Sequence, residues 1–405
     1  MKYFLLLTLL SLPAMAQRLI KPHLDLEMTT EEYQQLLKQH EKILEESDPE
    51  VEAAIAMGER LSKWINKVNE GRSPEQAIRL SSAATQAGVP IETPNVYNPK
   101  IIGEKTAKIM SELPGSMKAV VTTTTELPGT IDLDDETFIK HARLLNLNYQ
   151  KAVRYKVLWQ YRYEYQAGAA EDVRGYYYLT KNNFNETTLR DVNLIPEAQR
   201  PLVKAALTQM CSMSAFFSCV GKVENAFANN DLVSIYNSYY SKAQKIWNTF
   251  FIIPPKSSRK DVVWTATTLT VPFNTPAVAK FKPYLQDNIE DEFKWQGWNL
   301  RLNFGTFANG PVLIFKAGAV PHVNGLGGNE ITMDANEPIE EYSSQWTIRH
   351  EFGHVLGLPD CYHEFYDKNL KAFVNYQLDI TDLMCSRTGK MKERIFKELE
   401  KAYKK

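Results

Sequence analysis

Apolar residues recur at helical spacing in the N-terminal part of the chain. Between residues 29 and 70, Tyr33, Leu36 and Leu44 follow a period of three to four, and the run from Thr29 to Glu32 is typical of a helix N-terminus. A second helix is predicted after Asp48-Pro49. Glycines and prolines interrupt the pattern from Gly71 to about residue 115, so we predict a helical N-terminal region over 17–115.

A different periodicity follows between residues 153 and 165. Every second position is Val, Tyr or Trp, and the positions between are mostly charged or polar. This alternation predicts a strand, which with Tyr176–Leu179 would form a hairpin with an aromatic face. Such a face either packs a domain core or stacks on a sugar or peptide. We therefore assign residues 116–255 to a mixed middle region, either a pro-region or an accessory domain.

Pro254-Pro255, followed by the polar run Lys256–Lys260, is typical of a linker. We place the main domain boundary there, so the C-terminal domain spans 256–405. Taken together, the elements predict an α+β fold.

The first sixteen residues have the pattern of a secretory signal peptide. Lys2 precedes an apolar run from Phe4 to Leu12, and Ala14-Met15-Ala16 is a small-x-small cleavage site. The run is too short to span a membrane, and no later stretch of 18 uncharged apolar residues follows. We expect an exported protein without an integral membrane segment, either secreted or periplasmic.

Composition limits the function classes. The 405 residues are 44% hydrophobic, which is typical of a globular chain, and their formal net charge is -1. This balance argues against nucleic-acid binding by bulk phosphate neutralisation. The four cysteines are too few for a disulfide scaffold, but export permits disulfides. A Cys211–Cys219 bridge is predicted, the alternative being a thiolate that ligates a metal.

Candidate chemistry begins at residue 350 with His350-Glu351-Phe352-Gly353-His354. On a helix, His350 and His354 lie on one face, where two imidazoles can bind one zinc ion while Glu351 acts as general base towards a water at the metal. The apolar stripe of Ile348, Phe352 and Val355 supports a helix. The alternative is a helix with two surface histidines.

A catalytic zinc site needs a third protein ligand. Gly357 can adopt the left-handed conformation that ends a helix, and Pro359 prevents the helix from resuming. Asp360 is thereby directed towards the metal, and we favour it as the ligand because it lies at a short offset from the glycine. His363 and Glu364 remain alternatives.

These residues resemble the signature of the metzincin clan of zinc metalloproteases, in the Asp variant of the snapalysin type. The run Thr381–Cys385 is similar to the clan's Met-turn, with Met384 beneath the metal. The predicted order of elements is also similar. It comprises strands at Thr267–Phe273, Trp298–Phe304, Val312–Lys316 and Glu330–Asp334, a helix at Ala277–Phe293, the zinc helix, and a C-terminal helix within Lys390–Lys405.

The resemblance implies further features. Ala319–Asn324 would be the edge strand that binds a substrate backbone by strand addition. Ser386 and Arg387 follow the turn where some members carry a tyrosine, so no tyrosine ligand is expected. A cysteine pair is a departure from the family's pattern: a bridge between Cys361 and Cys385 is expected, and it would tie the loop of the third ligand to the Met-turn.

The resulting hypothesis is an exported zinc endopeptidase that acts on proteins or peptides, with one Zn²⁺ held by His350, His354 and Asp360 and with Glu351 as general base. A free Cys211 could block the zinc in a latent form, an idea that fails if Cys211 is bridged. The alternative is an envelope or cell-surface binding protein in which the zinc domain is structural. Glu351 discriminates between the two hypotheses, because a structural site needs no general base.

Overall fold

A computed structural model of the protein describes residues 28–40, 48–73, 76–80, 89–213, 218–335, 337 and 339–404. The predicted signal peptide, residues 1–16, lies outside these residues. The fold is mixed α+β, as predicted. Within the described ranges, no helix is both long and apolar enough to cross a membrane.

The α-helices are numbered in chain order. They are α1 Thr30–His40, α2 Pro49–Asn69, α3 Pro99–Glu112, α4 Gly115–Thr122, α5 Asp135–Trp159, α6 Arg162–Gly168, α7 Arg174–Lys181, α8 Glu186–Leu189, α9 Arg200–Ser212, α10 Cys219–Ala228, α11 Leu232–Thr249, α12 Phe281–Leu285, α13 Tyr342–Val355 and α14 Glu393–Tyr403. A π-helical turn, Gln286–Glu290, continues α12.

The strands form three small sheets. They are β1 Asn95–Tyr97, β2 Val263–Trp264, β3 Thr268–Asn274, β4 Lys294–Trp295, β5 Trp298–Gly305, β6 Val312–Lys316, β7 His322–Val323, β8 Glu330–Asp334, β9 Tyr362–Asp367 and β10 Ala372–Gln377. The sheet orders are β1-β10-β9, β2-β3-β5-β4 and β6-β8-β7. β3 pairs with β5 and β6 with β8 in parallel, whereas β7 runs antiparallel to β8 at the sheet edge.

Side-chain caps explain where several N-terminal helices begin. Asp48 accepts a hydrogen bond from Glu50 N (3.2 Å), Asn98 from Ile101 N (2.9 Å) and Asp134 from Thr137 N (2.8 Å). Each satisfies a backbone donor that has no partner within its helix. The predicted helix after Asp48-Pro49 is confirmed as α2.

The strand predicted over 153–165 is wrong. Residues 153–159 belong to α5, and α6 follows from Arg162. The alternation is misleading because this part of α5 is buried on most of its circumference, including the charged Arg154. Apolar residues therefore need not follow a period of 3.6. Tyr176–Leu179 lies in α7, so the aromatic hairpin does not form.

In the C-terminal part, the predicted strands are confirmed as β3, β5, β6 and β8. The helix predicted over Ala277–Phe293 is confirmed from Phe281 to residue 292, with a π-helical turn at Gln286–Glu290 in its middle. The C-terminal helix is confirmed as α14, with Ile395, Leu399 and Tyr403 buried at helical spacing.

Packing continues across the predicted linker. The largest hydrophobic cluster combines residues between 173 and 253 with residues between 269 and 403. In addition, β1 from the N-terminal region pairs antiparallel with β10. Residues on both sides of the predicted linker therefore share one hydrophobic core. The domain boundary at residue 256 stays a prediction.

Candidate metal centre

Helix α13 presents the predicted metal ligands. His350 and His354 lie one turn apart, with ring centroids separated by 4.8 Å, and both side chains are buried. Ile348, Phe352 and Val355 are fully buried on the opposite side. Burial of this stripe fixes the rotation of the helix about its axis and so directs the histidines towards the site.

The chain reverses after α13 as the sequence predicts. Gly357 adopts a left-handed conformation with φ of +80°, and Leu358 N donates to Gly353 O at 3.0 Å. A Cβ at Gly357 would also come within 2.6 Å of Ser257 O, so a larger residue does not fit. This helix end returns the chain towards the histidines and places Asp360 beside them.

The three predicted ligands converge. Asp360 Oδ1 lies 3.1 Å from His350 Nε2 and 3.2 Å from His354 Nε2. Zinc bonds of about 2.0–2.2 Å place two ligand atoms of a tetrahedral site about 3.3–3.5 Å apart. The two measured separations are close to this edge length, and the three ligand atoms lie within 4.8 Å of one another. The two separations from Asp360 are therefore compatible with three ligands of one metal ion.

The histidine rings are oriented by main-chain carbonyls. His350 Nδ1 bonds to Leu383 O at 3.0 Å and His354 Nδ1 to Leu358 O at 2.8 Å. Each carbonyl accepts a hydrogen bond from Nδ1–H, which leaves Nε2 of the neutral ring as a lone-pair donor. Sequence reasoning missed both contacts, since backbone carbonyls leave no signal in residue identity.

Asp360 and His354 shift each other's pKa values. Burial opposes ionisation, but the imidazoles of His354 and His350 outweigh it and hold the pKa of Asp360 well below its usual range. Burial lowers the pKa of His354, whereas Asp360 and, more weakly, Glu351 raise it, with a net rise. Glu351 itself is buried beside His350.

The predicted Met-turn, Thr381–Cys385, is held by a buried carboxylate. Asp382 Oδ1 accepts from Met384 N at 2.9 Å, and Oδ2 accepts from Arg394 Nη2 of α14 at 2.6 Å. The C-terminal helix thus fixes the turn that carries the Leu383 carbonyl. The sequence contains Asp382 in the turn, but its partner Arg394 is identified only by the fold.

Both predicted disulfides are confirmed. Cys361 bonds to Cys385, which links the residue after Asp360 to the residue after Met384. Cys211 bonds to Cys219, so neither is a thiolate ligand and the idea that Cys211 blocks the zinc fails.

The alternative third ligands are engaged elsewhere. His363 lies on β9, and its Nε2 bonds to Gly168 O at 2.9 Å. Glu364 forms a buried ion pair of 2.6 Å with Arg154 of α5. The structure therefore groups Asp360, and neither of these two residues, with His350 and His354.

The predicted edge segment Ala319–Asn324 contains β7, one of the two edge strands of its sheet. The loop after it lies against the metal helix, because Gly327 N donates to His354 O at 2.8 Å. This edge strand therefore runs beside the metal site. His322 bonds through Nδ1 to Val320 O at 2.8 Å, within the same segment.

Comparisons of the chain with protein-family models, with curated proteins and with solved structures found no match. The function is therefore inferred from the geometry of the site.

Proposed function

We propose that the protein is a zinc-dependent metallopeptidase that hydrolyses peptide bonds in proteins or peptides. One observation carries the proposal. Two histidines one helical turn apart and the carboxylate of Asp360 converge at zinc-ligand separations, next to a buried Glu351. Three protein ligands beside a carboxylate are typical of catalytic rather than structural zinc sites.

Each residue has a role in this proposal. His350, His354 and Asp360 would hold the zinc ion, which when bound polarises the scissile carbonyl and acidifies water. Glu351 accepts a proton from the attacking water and transfers it to the leaving amine. The bond between the water oxygen and the carbonyl carbon forms first, and the carbon–nitrogen bond breaks once the nitrogen has received the proton, giving a carboxylate and a free amine.

The order of elements supports a metzincin-like catalytic domain. β3, β5, β6 and β8 precede α13, a left-handed glycine ends that helix, and the Met-turn and α14 follow. Each lies in the order that the resemblance implies. We propose that β7 binds an extended substrate through the edge that faces away from β8, since strand addition uses main-chain groups and suits peptides of varied sequence.

The alternative is a binding protein with a structural zinc site. In this alternative the predicted aromatic hairpin would bind the ligand. The residues of that hairpin lie in helices instead, so one argument for a binding protein is lost. A structural site would usually complete its coordination with a fourth Cys or His. Among the described residues, the cluster at the site holds only two histidines and one carboxylate.

A peptide library tests the proposal. The chain beginning at residue 17 is loaded with zinc and compared with Glu351→Gln and with Glu340→Gln, a matched loss of an exposed carboxylate just before α13. We expect one zinc per chain in all three, and cleavage that disappears only in Glu351→Gln. One zinc per chain without cleavage in the wild-type protein would contradict the proposal.

A further inference from the structure

Glu292 joins the metal helix to the segment that follows the Met-turn. Its side chain is 6% exposed and lies at the end of the helical stretch that begins with α12. Its Oε2 lies 2.6 Å from Nη1 of Arg349 in α13, and its Oε1 accepts a hydrogen bond from Met391 N at 2.6 Å. Lys390 Nζ, on an exposed side chain, adds a longer contact of 3.4 Å. One buried carboxylate therefore holds two segments that are distant in sequence.

The contact with Met391 leads back to the Met-turn. Met391 N belongs to the same peptide group as Lys390 O, which accepts a hydrogen bond from Leu383 N at 3.1 Å. Leu383 O in turn accepts from His350 Nδ1 at 3.0 Å. Glu292 is thus connected to the carbonyl that orients His350 through one peptide group and one residue of the Met-turn.

The contact with Arg349 leads to the same histidine from the other side. Arg349 immediately precedes His350, and its Nε donates to Gln345 O in the preceding turn of α13 at 3.2 Å. The guanidinium is thereby fixed both to its own helix and to Glu292. Both partners of the hydrogen bond between His350 and Leu383 are consequently tied to one carboxylate.

This connection matters because the hydrogen bond at the second ring nitrogen of a metal-bound histidine fixes the orientation of the ring and the position of its proton. A displacement of Leu383 O would weaken that hydrogen bond at His350. His354 depends on a different carbonyl, since its Nδ1 bonds to Leu358 O at 2.8 Å. The two histidines should therefore respond differently to the loss of Glu292.

We propose that Glu292 is a positioning residue of the metal centre that holds the Leu383 carbonyl against His350, an inference that rests on the metal site of the proposed function and not on peptide hydrolysis. Glu292 acts through Arg349 and through the Lys390–Met391 peptide group. Loss of its carboxylate leaves a buried arginine without its partner, which is strongly unfavourable, and leaves Met391 N without its acceptor. Both segments should then shift, and the hydrogen bond between them should weaken.

The chain offers a matched control in Glu290, two residues earlier. Its side chain is 8% exposed, its Oε2 lies 2.7 Å from Arg301 Nη1, and its Oε1 accepts from Leu302 N at 2.9 Å. Glu290 thus makes the same kinds of contact as Glu292, with one arginine and one backbone N–H, but makes them with β5. Glu290→Ala therefore reports what the loss of a buried carboxylate from this helix does by itself.

The test compares the wild type, Glu292→Ala, Glu292→Gln and Glu290→Ala in the full chain. Zinc affinity is measured by competition with a chelator, and the free energy of unfolding by urea. In the Co²⁺-substituted protein, proton NMR detects one exchangeable, paramagnetically shifted Nδ1–H signal for each metal-bound histidine. Glu292→Gln keeps an oxygen that can accept from Met391 N but loses the charge that pairs with Arg349, so it serves if the alanine variant does not fold.

We expect Glu292→Ala to bind zinc about tenfold more weakly or worse, as the loss of an outer-shell partner does, and to alter the shift and solvent exchange of one Nδ1–H signal while the other stays unchanged. Glu292→Gln should change both quantities in the same direction. Glu290→Ala should leave zinc affinity and both signals as they are in the wild type, whatever its effect on stability.

Equal losses of zinc affinity in the Glu292 and Glu290 variants would overturn the proposal. So would two unchanged signals, equal changes of both signals, or a wild type that binds no metal. Neither readout involves peptide cleavage, so zinc binding without hydrolysis would refute only the proposed peptidase function.

Discussion

Met384 lies directly against Gly353, the residue of the metal helix between Glu351 and His354. A Cβ added at Gly353 would overlap the Met384 sulfur. The fully buried methionine thus forms the floor under α13, and only glycine permits the helix to approach it so closely.

Gly353→Ala is therefore expected to displace α13 from the Met-turn. We predict a free energy of unfolding lower by about 1–3 kcal/mol, which is typical of overpacking, together with weaker zinc binding. Urea unfolding and metal titration measure both quantities. Gly221→Ala in α10 is the control, because a Cβ there meets nothing within 4 Å. Equal effects of the two substitutions would contradict this account of the floor.

The choice of third ligand predicts a contrast between two nearby residues. Asp360→Ala should weaken zinc binding by more than about 100-fold, since loss of an outer-shell partner alone costs about 10–100-fold. His363→Ala should leave the zinc stoichiometry unchanged, although it removes the bond to Gly168 O. Zinc titration with a competing chelator distinguishes the two, and an unchanged affinity in Asp360→Ala would exclude it as a ligand.

The two disulfides should affect different properties. From loop length alone, the Cys361–Cys385 bridge, with a sequence separation of 24, should raise the free energy of unfolding by about 3.5 kcal/mol. The Cys211–Cys219 bridge, with a separation of 8, should raise it by about 2.5 kcal/mol. Replacement of the first pair by serine should also lower zinc affinity, because it joins the segment of Asp360 to the Met-turn. Replacement of the second should change stability alone, as thermal unfolding and metal titration can establish.

The raised pKa of Glu337 predicts that the stability of the folded protein depends on pH. Burial and the nearby Glu32 charge raise the pKa of Glu337 to about 7 from its ordinary value of 4.5. The folded chain then binds more protons than the unfolded chain between these pH values. The free energy of unfolding should therefore fall as pH rises from about 4.5 to 7.

Glu337→Gln should reduce this loss of stability, by roughly 1–2 kcal/mol once solvent screening is allowed for. Urea unfolding at pH 5 and pH 8 measures the difference, with the exposed Glu340→Gln as control. An identical pH dependence in the wild type and Glu337→Gln would show that Glu337 is not the group responsible for the loss of stability.

Local features of the site could be predicted from the sequence. The spacing of His350 and His354 depends only on helix geometry, and the end of the helix depends on the conformation available to Gly357. The capping residue before α2 is equally local, because Asp48 lies two residues from the backbone donor that it accepts from. These predictions succeed because each depends on residues within a few positions of one another.

Only the tertiary structure decided the long-range relationships. Burial of α5 on most sides produced an alternation that resembles a strand, and the direction of β9 places His363 beside Gly168 rather than at the metal. An ion pair between Glu32 and Arg387 joins opposite ends of the chain. Such contacts depend on which surfaces the fold brings together, and neither residue type nor local spacing specifies a partner more than 300 positions away.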